Sequence, residues 1–161
     1  MTLNVADIER WDPEAVREVF RAASARSAAA TEAARAAEQL PAFQSWGGVA
    51  AGAAREAIGK TRADLDAHAT ESLAVAQAAQ KAAQDIEKVR IELRGLSGEV
   101  ADAGLAVDPA TSTVVEGPGF RGTAAELAAT IAALQTRLNA IVAEANGVDA
   151  ELAAAMSSSA T

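Results

Sequence analysis

The chain has no cysteine, no tyrosine, a single histidine, and only two tryptophans and three phenylalanines. Without cysteine it can form no disulfide and no thiolate metal site. Half of the residues are hydrophobic, and Ala dominates that half. Ala buries little area, so long helix–helix contacts or a partner must supply the stability. Positive charge is scarce as well, with 14 basic against 22 acidic residues and a formal net charge of −8. Nucleic-acid binding neutralises phosphates with Lys and Arg, and no basic stripe is present, so no nucleic-acid partner is expected. No apolar run approaches the roughly 20 residues of a membrane span, so no transmembrane segment is expected either. Met1–Arg10 carries Asp7 and Glu9 and lacks an apolar core, so it does not read as a Sec signal peptide.

What the chain has in abundance is helix formers: Ala, Glu, Gln, Arg and Leu. They predict an all-α fold, an elongated antiparallel helical bundle within a single domain over 1–161. Residues 1–12 read as a short lead. Asp12 is placed to cap a first helix over about 13–40, with Pro13 at its first position. Val16, Phe20, Ala23, Ser27, Ala30, Ala34 and Ala37 follow at heptad spacing. A turn over 41–47 leads to a second helix over about 48–103. Its seam includes Ile58, Leu65, His68, Ser72, Val75, Ala79, Ala82, Ile86, Val89, Leu93, Leu96 and Val100. Residues 104–122 break the pattern. Leu105–Val107 and Thr113–Val115 flank Asp108-Pro109-Ala110-Thr111-Ser112, which predicts a small β-hairpin or tight loop. Thr123-x-x-Glu126 is a capping box opening a third helix over about 123–156. Its seam is Leu127, Ile131, Leu134, Leu138, Ile141, Ala145, Val148, Leu152 and Ala155. Residues 157–161 form a small polar tail.

Folding the first helix back on the second pairs Phe20 with His68, Ala30 with Ile58 and Ala34 with Ala54. Folding the third back pairs Leu127 with Val100, Leu134 with Leu93, Ile141 with Ile86 and Leu152 with Val75. Seam meets seam in both cases. The expected result is a slender rod with the very long second helix as its spine.

Between the first two helices stands Trp46-Gly47-Gly48. Gly47 permits a sharp turn there, and Trp46 can cover the end of the hairpin. A W-x-G tripeptide joining two long amphipathic helices, about 45 residues from the start, resembles the WXG family of type VII (ESX) secretion substrates. The resemblance implies that the hairpin pairs with another WXG-like hairpin or with a second copy of itself. It also implies that secretion machinery exports the pair and that the protein is secreted or cell-surface. Members carry a Tyr-x-x-x-Asp/Glu export signal after the second helix. This chain has no Tyr, so a partner or another part of the protein would supply that signal. Trp11-Asp12-Pro13, the segment from Ile58 to His68, and Val107-Asp108-Pro109 are similar to a larger subgroup from GC-rich bacteria. There a WXG-like helical module precedes an effector, often α/β-hydrolase-like, domain. The alternative reading is therefore the N-terminal scaffold of a secreted hydrolase or toxin.

No catalytic, cofactor or metal site is expected in this segment. Gly117-x-Gly119-x-x-Gly122 matches a dinucleotide fingerprint in letters, but no strand follows the next helix, so a connector is expected. Asp64, His68 and Glu71 share one helical face, yet a metal needs further ligands from other helices. There is no G-x-S-x-G and no spatially sensible Ser–His pair. A thin rod also offers no cleft for paired carboxylates. The segment reads as a binding module and not an enzyme.

Overall fold

The computed structural model describes residues 2–39 and 47–158. Among these residues the fold is all-α apart from one two-stranded sheet. The elements are α1 (Val5–Glu9), α2 (Pro13–Glu38), α3 (Val49–Asp102), β1 (Leu105–Asp108), β2 (Thr113–Glu116) and α4 (Ala124–Ser158). Contacts divide the chain into two compact units. The first takes the residues up to Val16 together with Lys81–Ala154, and the second takes Arg17–Gln80 and the end of α4 from Ala155.

Local signals set the helix ends. The Asp12 carboxylate accepts the Glu14 N–H at 3.0 Å, capping α2 ahead of Pro13. At α4 the capping box is reciprocal: Thr123 Oγ1 accepts the Glu126 N–H at 3.1 Å, and Glu126 Oε2 accepts the Thr123 N–H at 3.2 Å. Helix α3 stops where Gly104 adopts φ +79° and donates to Ala101 O at 2.9 Å, a left-handed turn that favours glycine. Gly95 and Gly98 lie inside α3 without ending it.

The first unit has a core of Val, Leu and Ile. Val89, Leu93, Leu96 and Val100 of α3, Leu134, Leu138, Ile141 and Ala145 of α4, and Leu105 and Val114 of the hairpin form one buried cluster. A smaller one joins Ala82, Ile86 and Val148, with Val16, Trp11 and Leu152 packed against it. The hairpin pairs Leu105 with Glu116 and Val107 with Val114. Its turn is held by Asp108 Oδ1, which accepts from Ala110 N at 3.0 Å, and by Ser112 at φ +55°.

Two expectations need correction in this unit. First, residues 1–12 are more than a lead. Val5–Glu9 form α1, with a capping box between Asn4 and Asp7, and bury Val5 and Ile8 almost completely. Second, the register of α4 on α3 is offset from the expected one. Ile86 clusters with Val148, one heptad beyond the anticipated Ile141. The ion pairs agree: Lys81 reaches Glu151 at 2.9 Å and Lys88 reaches Glu144 at 2.8 Å. A heptad seam is satisfied equally well after a slip of seven residues, so the connection decides. Here the hairpin packs beside α4, with Gln135 accepting the Val114 N–H at 2.7 Å and donating to Ser112 O at 2.9 Å. Leu127 and Ile131 pack against the cluster that holds Leu105 and Val114. The opening turns of α4 thus serve the hairpin, and the pairing with α3 starts later.

The glycines of the 117–122 segment also have a packing role. Gly117 is buried. A side chain on Gly117 would collide with the Gly104 carbonyl, and one on Gly104 would collide with the Gly119 backbone. Two loop backbones touch here because neither carries a Cβ.

Candidate interaction surface on the α2–α3 hairpin

The second unit pairs α2 with the first half of α3. Ser27 Oγ donates to Ala69 O at 2.8 Å, and Arg62 Nη1 meets Glu38 Oε1 at 3.0 Å. As position rises along α2 it falls along α3, so the two run antiparallel. The register is again shifted from the expected one. Ser27 lies at Ala69, about two turns along α3 from the Thr61 level that the Phe20–His68 pairing implies. Ala–Ala contacts barely distinguish one heptad register from the next, so the pattern alone could not fix it.

Among the described residues, every buried hydrophobic side chain of this unit is Ala: Ala23, Ala30, Ala34, Ala51, Ala69, Ala76 and Ala79. Ser72 is the buried polar one. Phe20, Ile58 and Leu65 are half-buried, and so is Val16, which belongs to the first unit. His68 is exposed, and Ala69 takes the buried position beside it. The seam therefore drifts by one residue, as a 3.6-residue helix does against a 3.5-residue repeat. Leu93, Leu134, Leu138 and Ile141 are buried in the first unit.

At the turn, Gly48 has φ +98° and its carbonyl accepts the Gly52 N–H at 3.1 Å. Gly48, the last of the three residues assigned to the turn, thus takes the left-handed region directly before α3. Trp46, together with the rest of 40–46, lies outside the described residues.

Small side chains leave room between the helices. A groove of about 480 Å³ runs along the hairpin, walled by Val19, Ala22, Ala23 and Val75, with Arg26, His68 and Glu71 beside them. Val49 and Leu73 of α3 are exposed elsewhere on the same unit, at 94% and 47%. The surface offers apolar contact and mixed charge. Among the described residues no group of three His, Cys, Asp or Glu side chains is placed to hold a metal. No described helix is long and apolar enough to cross a membrane.

Three ionisable groups of the first unit have displaced equilibria. The Lys81 ammonium is held well above its ordinary value, first by its hydrogen bond to Asp85 and then by the one to Glu151. Lys88 is raised chiefly by its hydrogen bond to Glu144, and that bond in turn lowers Glu144. These lysines lie seven residues apart on α3, and each links an acid four residues on to an acid of α4. They are exposed ion pairs that link α3 to α4 along one edge.

No curated protein and no solved structure matches the chain. One family model does, described as uncharacterised protein Rv0964c, over residues 41–161. The match takes in α3, the hairpin and α4, and leaves α1 and α2 outside it. On that match, three quarters of its length, the chain belongs to the family of the uncharacterised protein Rv0964c.

Proposed function

We propose that this chain is a type VII secretion substrate, or the targeting and assembly module of one, acting by helix-hairpin pairing. The observation that carries the reading is the order helix, Trp46-Gly47-Gly48, helix, in which α2 and α3 run antiparallel and Gly48 takes the left-handed turn. The groove walled by Val19, Ala22, Ala23 and Val75 supports it, because a hairpin held together by small side chains leaves apolar surface for another to cover. The partner is a second WXG-like hairpin or another copy of this chain, and the secretion machinery carries the pair to the cell surface or beyond. The segment works by binding and performs no catalysis of its own.

Culture-filtrate levels in a bacterium with an active type VII system test the reading, with the parent compared to a strain lacking the secretion ATPase. Export is expected in the parent, is lost without the ATPase, and is weakened by Trp46→Ala. Equal levels in the two strains would sink it. A second reading, the N-terminal scaffold of a secreted hydrolase or toxin, is favoured by the first unit. Its α1, hairpin and Leu-rich core go beyond what hairpin pairing needs. Export only when a following domain is attached would point there.

A further inference from the structure

Large side chains leave the core where the second unit begins. Neither cluster of buried hydrophobic residues includes a described residue between 17 and 80, even at its edge. Phe20, Ile58 and Leu65 lie along this stretch and are only half-buried, and Leu73 is exposed. What is buried is Ala and Ser72. Polar contacts across the seam include two that water replaces at little cost. Ser27 Oγ donates to Ala69 O, a carbonyl of a helix backbone, and the Arg62–Glu38 pair has both side chains about half exposed.

The boundary falls inside two helices and at no loop. Helix α2 runs unbroken from Pro13 to Glu38 and α3 from Val49 to Asp102, yet the units part between Val16 and Arg17 and between Gln80 and Lys81. The register of Ser27 on Ala69 puts these two breaks at one level of the helix pair. On the first unit's side of that level, Trp11, Val16 and Leu152 pack against Ala82, Ile86 and Val148, and Lys81 ties Asp85 to Glu151. On the other side the buried apolar area per turn drops to that of Ala, and the stabilisation drops with it. Ala is also the strongest helix former. Helices parted here keep much of their own hydrogen bonding, so parting them costs mainly the small area of the seam.

We propose that residues 17–80 form a zipper that opens as one unit while the first unit stays folded. The α2–α3 seam parts up to Val16 and Gln80, and the cluster around Ile86 and Val148 stops the opening there. The open form uncovers Ala23, Ala30 and Ala34 of α2 and Ala69 and Ser72 of α3, and it recloses without a partner. The zipper is independent of the secretion reading and stands or falls without it.

Hydrogen exchange on the intact chain in low urea tests it. The amides of Ala23, Ala30, Ala34 and Ala69 are expected to exchange about 100-fold or more faster than those of Val89, Leu93 and Leu138. As urea rises they should converge on one shared opening, with a weaker urea dependence than global unfolding. Equal protection in the two sets overturns the proposal. So do amides of 17–80 that open one by one with no shared urea dependence. The full-length Ala30→Glu variant, which puts a carboxylate at a position only 6% exposed, supplies the second measurement. It is expected to speed exchange at Ala23, Ala34 and Ala69 about tenfold or more. Val89, Leu93 and Leu138 should stay within about twofold of the wild type. Equal acceleration in both sets would mean one cooperative unit, and no acceleration within 17–80 would mean that the seam does not hold the zipper shut; either result overturns it.

Discussion

The two units of this chain use the same heptad spacing with different side chains. In the first, Leu96, Leu138, Val89 and Val100 are buried to within 1%. In the second, the buried hydrophobic positions among the described residues are all Ala. Heptad spacing tells a helix which face to bury, and side-chain volume sets how much that burial is worth. Each buried methylene contributes about 0.8 kcal/mol, so a Leu seam holds far more than an Ala seam of equal length. Hollows flank both seams, so the difference lies in the size of the side chains that each seam buries.

The largest effect is expected from removing volume in the first unit. Leu138→Ala should cost about 2–5 kcal/mol in urea or thermal unfolding, as a fully buried truncation does. Next comes the loop contact below the hairpin. Gly104 has φ +79° and no room for a Cβ, so Gly104→Ala should cost about 2–3 kcal/mol. Gly98→Ala, inside α3 with open space around it, should instead be neutral or stabilise by up to about 1 kcal/mol.

A matched pair of substitutions sharpens the contrast between the seams. Ala145→Leu enters a filled core at a fully buried position and should cost about 1–3 kcal/mol through overpacking. Ala23→Leu projects at the groove of the second unit and should gain about 0.5–2 kcal/mol by filling it. Opposite signs in denaturant midpoints would bear out the comparison, and a loss in both would mean that the groove cannot accept volume.

The smallest effect is electrostatic. The Lys88 hydrogen bond lowers Glu144, so the stability it gives is present above the ordinary carboxylate range. It is lost as pH falls through the lower folded value. Melting temperature should therefore fall slightly more between pH 6 and pH 3 in the wild type than in Glu144→Gln. The difference should be only a degree or two, since exposed pairs contribute little.

The comparison also explains what could be read in advance. The spacing of Leu134, Leu138 and Ile141 marks a buried face, and all three are buried. Thr123 and Glu126 mark the start of α4, and they cap it. Apolar pattern and capping chemistry are local, and local signals survive folding. His68 and Ala69 differ by one position on the helix, a drift that a strict heptad count cannot follow. The helix α1 is too short to show a period, although Asn4-x-x-Asp7 before an apolar residue was a legible cap. No local pattern announced that its partners would be Ser112, Pro109 and Asn146.

The sequence by itself determined the helical class, the buried faces of α4 and of the second half of α3, the hairpin and the ends of the long helices, because each depends on residues within a few positions of one another. Tertiary structure alone decided the registers of α2 and α4 on α3, the docking of α1, and the contact between Gly104 and the 117–119 loop. A heptad repeat is satisfied at many offsets. The choice among them falls to contacts between distant residues, such as Gln135 with the hairpin and Ser27 with Ala69, whose energies exist only once the chain has folded.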